Sequence, residues 1–186
     1  MKKEYRNVVR TKKMIKTAFV ELLGEKKNIN AITVSELCNR ANIAKSTFYN
    51  YYGDLYSVAE EFENELIDRL SAVLDEVEVD QAPEYDAYVR KVISFLKENE
   101  DTYKKAVLSS DVRFFIEKLK SIISKRVFSN SVSLPLSQST SARYVQIRFL
   151  TNALIDTMAD YFRGSFDTTL DQTGEVAIEL LRHLTP

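Results

Sequence analysis

What this chain has little of narrows its chemistry first. Its 186 residues hold one histidine, His183, and one cysteine, Cys38. With the sole histidine close to the C-terminus, neither a serine or cysteine triad nor a histidine-bearing metal cluster can be assembled within one chain. A lone cysteine cannot close an internal disulfide, and Cys38 reads as a small buried hydrophobe rather than a redox sensor. No glycine-rich phosphate loop occurs. The carboxylate pairs Glu60 with Glu61 and Asp156 with Asp160 fall on amphipathic segments, where a solvated polar face accounts for them. The sequence therefore does not predict an enzyme and implies no cofactor or metal.

Helix breakers are scarce too. Four glycines and three prolines interrupt the chain, and apolar residues recur at three-to-four spacing nearly throughout. That pattern predicts an all-α fold with no strand. A hydrophobic content of 45% suffices for a proper core and excludes disorder as the main state. No apolar run approaches the roughly 18 residues of a membrane span, and the basic, amphipathic start lacks a signal-peptide core. A cytoplasmic location, away from membranes, is the expectation.

Charge is balanced overall and unbalanced locally. The chain has 26 Lys plus Arg against 27 Asp plus Glu. Residues 1–60 hold 11 basic and 6 acidic residues, a net of +5, and the remainder carries a net of −6. Seven of those eleven basic residues precede residue 17, which reads as a basic arm able to follow phosphates or enter a minor groove.

The positive end also holds the most informative stretch, residues 32–52, ITVSELCNRANIAKSTFYNYY. Thr33 with Glu36 three residues on forms a capping box that starts a helix at Thr33 or Val34. Val34, Leu37 and Ala41 share its buried face. Asn42 suits the left-handed residue of a turn, and Ile43 folds back onto the apolar side. A second helix begins at Lys45, with Phe48 and Tyr52 inward. Lys45, Ser46, Thr47, Tyr49 and Tyr51 are left facing solvent, or a major groove. Two short helices across a tight turn are the pattern of a helix-turn-helix DNA reader.

The stretch resembles the tetracycline-repressor (TetR) family of bacterial transcription regulators. The likeness extends upstream through Thr11, Ile15, Ala18, Phe19, Leu22 and Leu23 before Lys26 and Lys27, and downstream through Tyr51-Tyr52-Gly53-Asp54. It departs at Ala44, where the family often has a capping serine, and at Leu55, where it usually has a phosphate-binding lysine. The resemblance implies a helix-turn-helix DNA-binding domain at 1–53 and a helical effector-binding and dimerisation domain at 54–186, with about nine helices in all. It also implies a homodimer paired through the last two helices, bound to double-stranded operator DNA, acting as a repressor released by a small-molecule effector. On that reading Thr33 and Tyr49 hold phosphates, with Ser35 a further candidate. Lys45, Ser46 and Thr47 face base edges, and Tyr51 touches the backbone where the family often has histidine. The region from Arg143 to Phe166 also resembles a Gram-positive branch that includes a coactivator of dihydroxyacetone utilisation. The rival reading is a helical dimeric coactivator that works through a protein partner, its operator binding weak or lost.

Periodicity maps the rest. One long helix from about Asp54 to Val79 joins the two parts, with Leu55, Val58, Ala59, Phe62, Leu66, Leu70, Val73 and Val77 inward. Pro83 suits the first turn of the next helix and Asp111 the start of another. A serine-rich stretch, residues 129–141, reads as a loop. The segment after it, about 142–163, is apolar on more than one face, which marks a protein interface. Val176, Ala177, Leu180, Leu181 and Leu184 supply a second stripe, and Leu154 and Leu181 are candidate dimer-core positions. Phe62, Phe95, Tyr103, Phe114 and Phe115 are candidates to line an effector cavity, although aromatic residues at this spacing more often form core.

Overall fold

The computed structural model describes residues 2–75, 85–108, 112–129, 137 and 139–184. Val77, Pro83, Asp111, the Phe114 side chain and most of the serine-rich stretch lie outside the described residues. Among those described, the chain is all-α, with nine α-helices and no strand. In chain order these are α1 (Lys2–Lys26), α2 (Val34–Ala41), α3 (Lys45–Tyr49), α4 (Leu55–Asp75), α5 (Tyr85–Glu98), α6 (Glu100–Val107), α7 (Val112–Ser129), α8 (Thr140–Arg163) and α9 (Leu170–Leu184), with a 3-10 turn at Ile29–Ala31.

The three N-terminal helices close around Ile15, Phe19, Leu22, Leu37 and Phe48, all buried. Their turns are set locally. Asn28 accepts from the Asn30 N–H and caps the 3-10 turn, and Asn42 takes φ 53 and ψ 49, so that the Ile43 N–H reaches the Cys38 carbonyl at 3.0 Å. Helix α4 then carries Val58, Phe62, Leu66, Ile67 and Leu70 into the core. Of the periodic reading, Val58, Phe62, Leu66 and Leu70 are buried and Leu55, Ala59 and Val73 half-buried, while Ile67 and Ser71 are buried in addition. One cluster of buried apolar residues runs from Ile15 through Phe62 to Leu170, so the N-terminal helices and the larger helical part share a core.

Two close approaches lock helices together. At Gly174 an added Cβ would lie 2.8 Å from Ile93 Cγ1, so only glycine lets α9 press this closely on α5. At Gly24 it would lie 2.8 Å from Lys105 Cε, because α1 rests on the aliphatic stem of that α6 residue. Helix α6 also meets α8, where the Tyr161 hydroxyl donates to Glu100 at 2.8 Å. The chain thus has a second link between its two ends besides α4.

Two sequence expectations need correction. The first sixteen residues are not an arm, since α1 is helical from Lys2 and nothing before Gly24 breaks it. Lys12 and Lys16 bond across to Glu61, at 2.7 and 3.1 Å, and Lys16 also pairs with Glu65. The second correction concerns α8 and α9. Leu154 and Leu181 line a cavity inside their own chain, and Leu181 is buried. The outward apolar residues are Val145 and Phe149 on α8 and Val176 and Leu180 on α9, all more than half exposed. Helix α8 packs mainly on α7, and α9 mainly on α5, so each buries one face and leaves the other outside.

Candidate nucleic-acid interface

Helix α2 is fixed before α3 is placed. The Thr33 hydroxyl accepts from the Glu36 N–H at 3.2 Å, and the Glu36 carboxylate accepts from the Thr33 N–H at 2.9 Å, completing the capping box. Lys26 at the end of α1 donates to the same carboxylate at 2.6 Å and to the Ala31 carbonyl at 2.8 Å. Arg40 at the other end of α2 grips Glu25 with two bonds of 2.8 and 3.0 Å. Both ends of α2 are therefore tied to α1. Cys38 is buried in this helix, and burial pushes its thiol above the ordinary range, as befits a packed side chain.

The Lys26 ammonium, followed by Thr33, holds the Glu36 carboxyl down at about 2. Its folded pKa lies below the ordinary 4.5, so the stability it contributes is complete above pH 4.5 and fades as pH falls towards 2. Thr33→Ala should cost about 1 kcal/mol at neutral pH, measured by chemical denaturation. The gap between variant and wild type should narrow across that acid window. An undiminished gap at pH 2 would refute the linkage.

Helix α3 has five residues, roughly 7 to 8 Å, so few side chains can reach a groove floor. Phe48 is fully buried, with its ring against Tyr49 at 5.3 Å and Tyr52 at 5.9 Å between centroids. That anchor fixes which face looks out. Lys45 and Ser46 are exposed, Thr47 is half-buried, and Tyr49 is 58% exposed, unusual for a large aromatic ring. Lys45 has no acidic partner among the described residues. Ala44 precedes the helix and makes no side-chain cap bond.

The remaining candidates sit differently. Thr33 is exposed, but its hydroxyl also donates to Glu36 at 2.9 Å, so the side chain is already engaged. Ser35 is half-buried in the first turn of α2. Tyr51 is half-buried, packed against the core. Leu55 packs against the same core, so a family lysine position here serves as an apolar anchor for α4. The geometry brings Lys45, Ser46 and Tyr49 together on one exposed surface, with Tyr51 half-buried.

Sequence reasoning passed over Tyr56. It is 54% exposed in the first turn of α4, and its hydroxyl donates to Asn30 at 2.5 Å. The pairing joins residues 26 apart, so no local pattern announces it. Among the basic residues, Lys12, Lys16, Lys26 and Arg40 are spent on internal ion pairs. Arg6, Arg10, Lys13, Lys27 and Lys45 are exposed and have no ion pair among the described residues.

Similar proteins place this geometry. No family model matches the chain. It is similar to an uncharacterized HTH-type transcriptional regulator, YxbF, of Bacillus subtilis (strain 168), 33% identical over 79 residues that cover 42% of this chain. The match spans a fifth of that relative's own length, 20%. Among solved structures, the dihydroxyacetone kinase operon activator DhaS aligns with a TM-score of 0.59 at 19% identity, covering 94% of this chain and 96% of its own. A TetR-family transcriptional regulator from Streptomyces coelicolor aligns at 0.61 with 14% identity, over 93% of this chain and 83% of its own. The fold is the TetR fold. Among the described residues no helix of this TetR-like chain is long and apolar enough to cross a membrane.

Proposed function

We propose that the chain is a transcriptional regulator that binds operator DNA as a homodimer through α3, and that it represses until a small-molecule effector releases it. The division at 53/54 into a DNA-binding part and an effector-binding, dimerising part belongs to this reading. The observation that carries it is the outer face of α3, where Lys45, Ser46 and Tyr49 stand exposed on a helix whose other face is pinned by Phe48. Lys45 suits guanine acceptors, the Thr47 methyl suits a thymine methyl, and the Tyr49 phenol suits a phosphate oxygen. Two recognition helices entering successive major grooves would place half-sites about one helical turn apart, ~34 to 36 Å, or somewhat more if the dimer spans a longer operator. The likeness to YxbF and to an operon activator supports a regulator and leaves the sign of regulation to experiment.

Tyr49→Ala should cost ~1 to 3 kcal/mol of operator affinity without changing helix content. Wild-type affinity should fall with salt, because each phosphate neutralised releases counterions. The five exposed basic side chains without an ion pair among the described residues, Arg6, Arg10, Lys13, Lys27 and Lys45, are the candidates in each chain for that neutralisation. Fluorescence anisotropy on fragments from the protein's own promoter region, and selection from random duplexes, provide the check. Absence of both retention at low salt and an enriched motif would overturn operator binding and favour a coactivator working through a protein partner. Uncapped Ala44 and apolar Leu55 are the observations on that side.

A further inference from the structure

The larger helical part holds a partly open cavity of about 190 Å³ among α4 to α9. Leu70, Val92, Phe115, Leu154, Met158 and Leu181 represent its walls, one or two from each contributing helix except α6. Of the sequence candidates, Tyr103 and Phe115 line it, whereas Phe62 and Phe95 pack elsewhere in the core. Among the described residues no aspartate, glutamate, lysine, arginine or histidine contributes to its lining. Among them the hydroxyl-bearing side chains are Tyr88, Tyr103 and Thr151, and the Tyr103 hydroxyl already donates to the Leu66 carbonyl at 2.8 Å.

These walls decide ligand chemistry. A carboxylate, ammonium or polyol entering the cavity would lose its water and find no counter-charge and few hydrogen-bond partners. A hydrocarbon loses nothing of the kind and gains dispersion contacts with the apolar walls. Size sets the second limit. A dry apolar cavity of ~150 Å³ takes up benzene, so one slightly larger accommodates a single ring with a short alkyl arm, or an aliphatic body of similar bulk. We propose that the cavity binds an uncharged, hydrocarbon-rich molecule of about that size, and that this molecule is the effector. The effector role rests on the regulator reading above, while the binding chemistry rests on the cavity alone.

The test uses the full chain without DNA and three probes: ethylbenzene, phenylacetate and glycerol. Phenylacetate keeps the ring and two-carbon arm of ethylbenzene but ends in a carboxylate. Calorimetric titration should show saturable ethylbenzene binding, with phenylacetate at least ~100-fold weaker and glycerol not detected. Leu154→Trp and Val92→Phe fill the space from two different helices. Whichever of them circular dichroism shows to be folded should bind ethylbenzene at least ~10-fold more weakly. Phenylacetate binding as tightly as ethylbenzene overturns the proposal, as does ethylbenzene failing to saturate up to its solubility or binding unaffected by a folded filling variant. A separate titration with operator DNA tests the role. Ethylbenzene that binds but leaves operator affinity unchanged overturns the effector assignment, and a changed affinity supports it.

Discussion

Replacing Phe149 by glutamate should turn the protein into a monomer that has lost tight operator binding. Phe149 is 68% exposed on α8, one turn from Val145, and Val176 and Leu180 repeat the spacing on α9. Two such helices per chain can pair with the same two of a second copy, burying all four residues in a four-helix bundle. At an isologous interface each substitution counts twice, so two carboxylates would be buried near one axis with no partner. The cost is about 3 kcal/mol or more, at least ~100-fold in the dimer constant. Operator affinity falls with it, because the second half-site contact no longer benefits from effective concentration. Light scattering and circular dichroism check the result together. Wild-type protein scattering as a monomer at micromolar concentration would end the dimer model. So would a monomeric, folded variant with wild-type operator affinity.

The second large effect is expected at Phe48. This ring is wholly buried between α2 and α3, in contact with Tyr49 and Tyr52. Phe48→Ala removes the anchor that orients α3 and leaves a cavity in a small helical unit, at a cost of about 3 to 5 kcal/mol. Tyr49 then loses the surface against which it is held. Thermal unfolding should shift down markedly, and operator binding should fail even at temperatures where most helix persists. A variant with unchanged melting temperature would show that α3 is held by its turns and not by this ring.

The helix-turn-helix was legible in the sequence because its determinants are local. Thr33 finds Glu36 three residues away, Asn42 needs only its own dihedral angles, and Phe48 follows α3 by helical spacing. What stayed hidden depends on partners distant in sequence. The pairing of Lys12 and Lys16 with Glu61 reaches from α1 to α4, and it converts part of an apparent phosphate-binding arm into internal structure. Tyr51 reads as outward by position, and its partial burial against the core comes from contacts that no local spacing announces. On α8 the difficulty was of another kind. Apolar residues occur on every face of that helix, so periodicity could not separate Leu154, which lines the cavity, from Phe149, which faces out.

The shared core also decides how the molecule can be dissected. Phe19 of α1 meets Phe62 of α4 edge to face, 6.2 Å between centroids, and Lys12 stacks on Tyr52 while bonding to Glu61. A fragment ending at Gly53 would keep α1 to α3 and lose Phe62, the ring that Phe19 packs against, and Glu61, the carboxylate that Lys12 bonds. The smallest N-terminal unit that keeps this packing therefore has to include α4 at least to Phe62. Any chimera that grafts α1 to α3 onto another body must carry that stretch of helix with it.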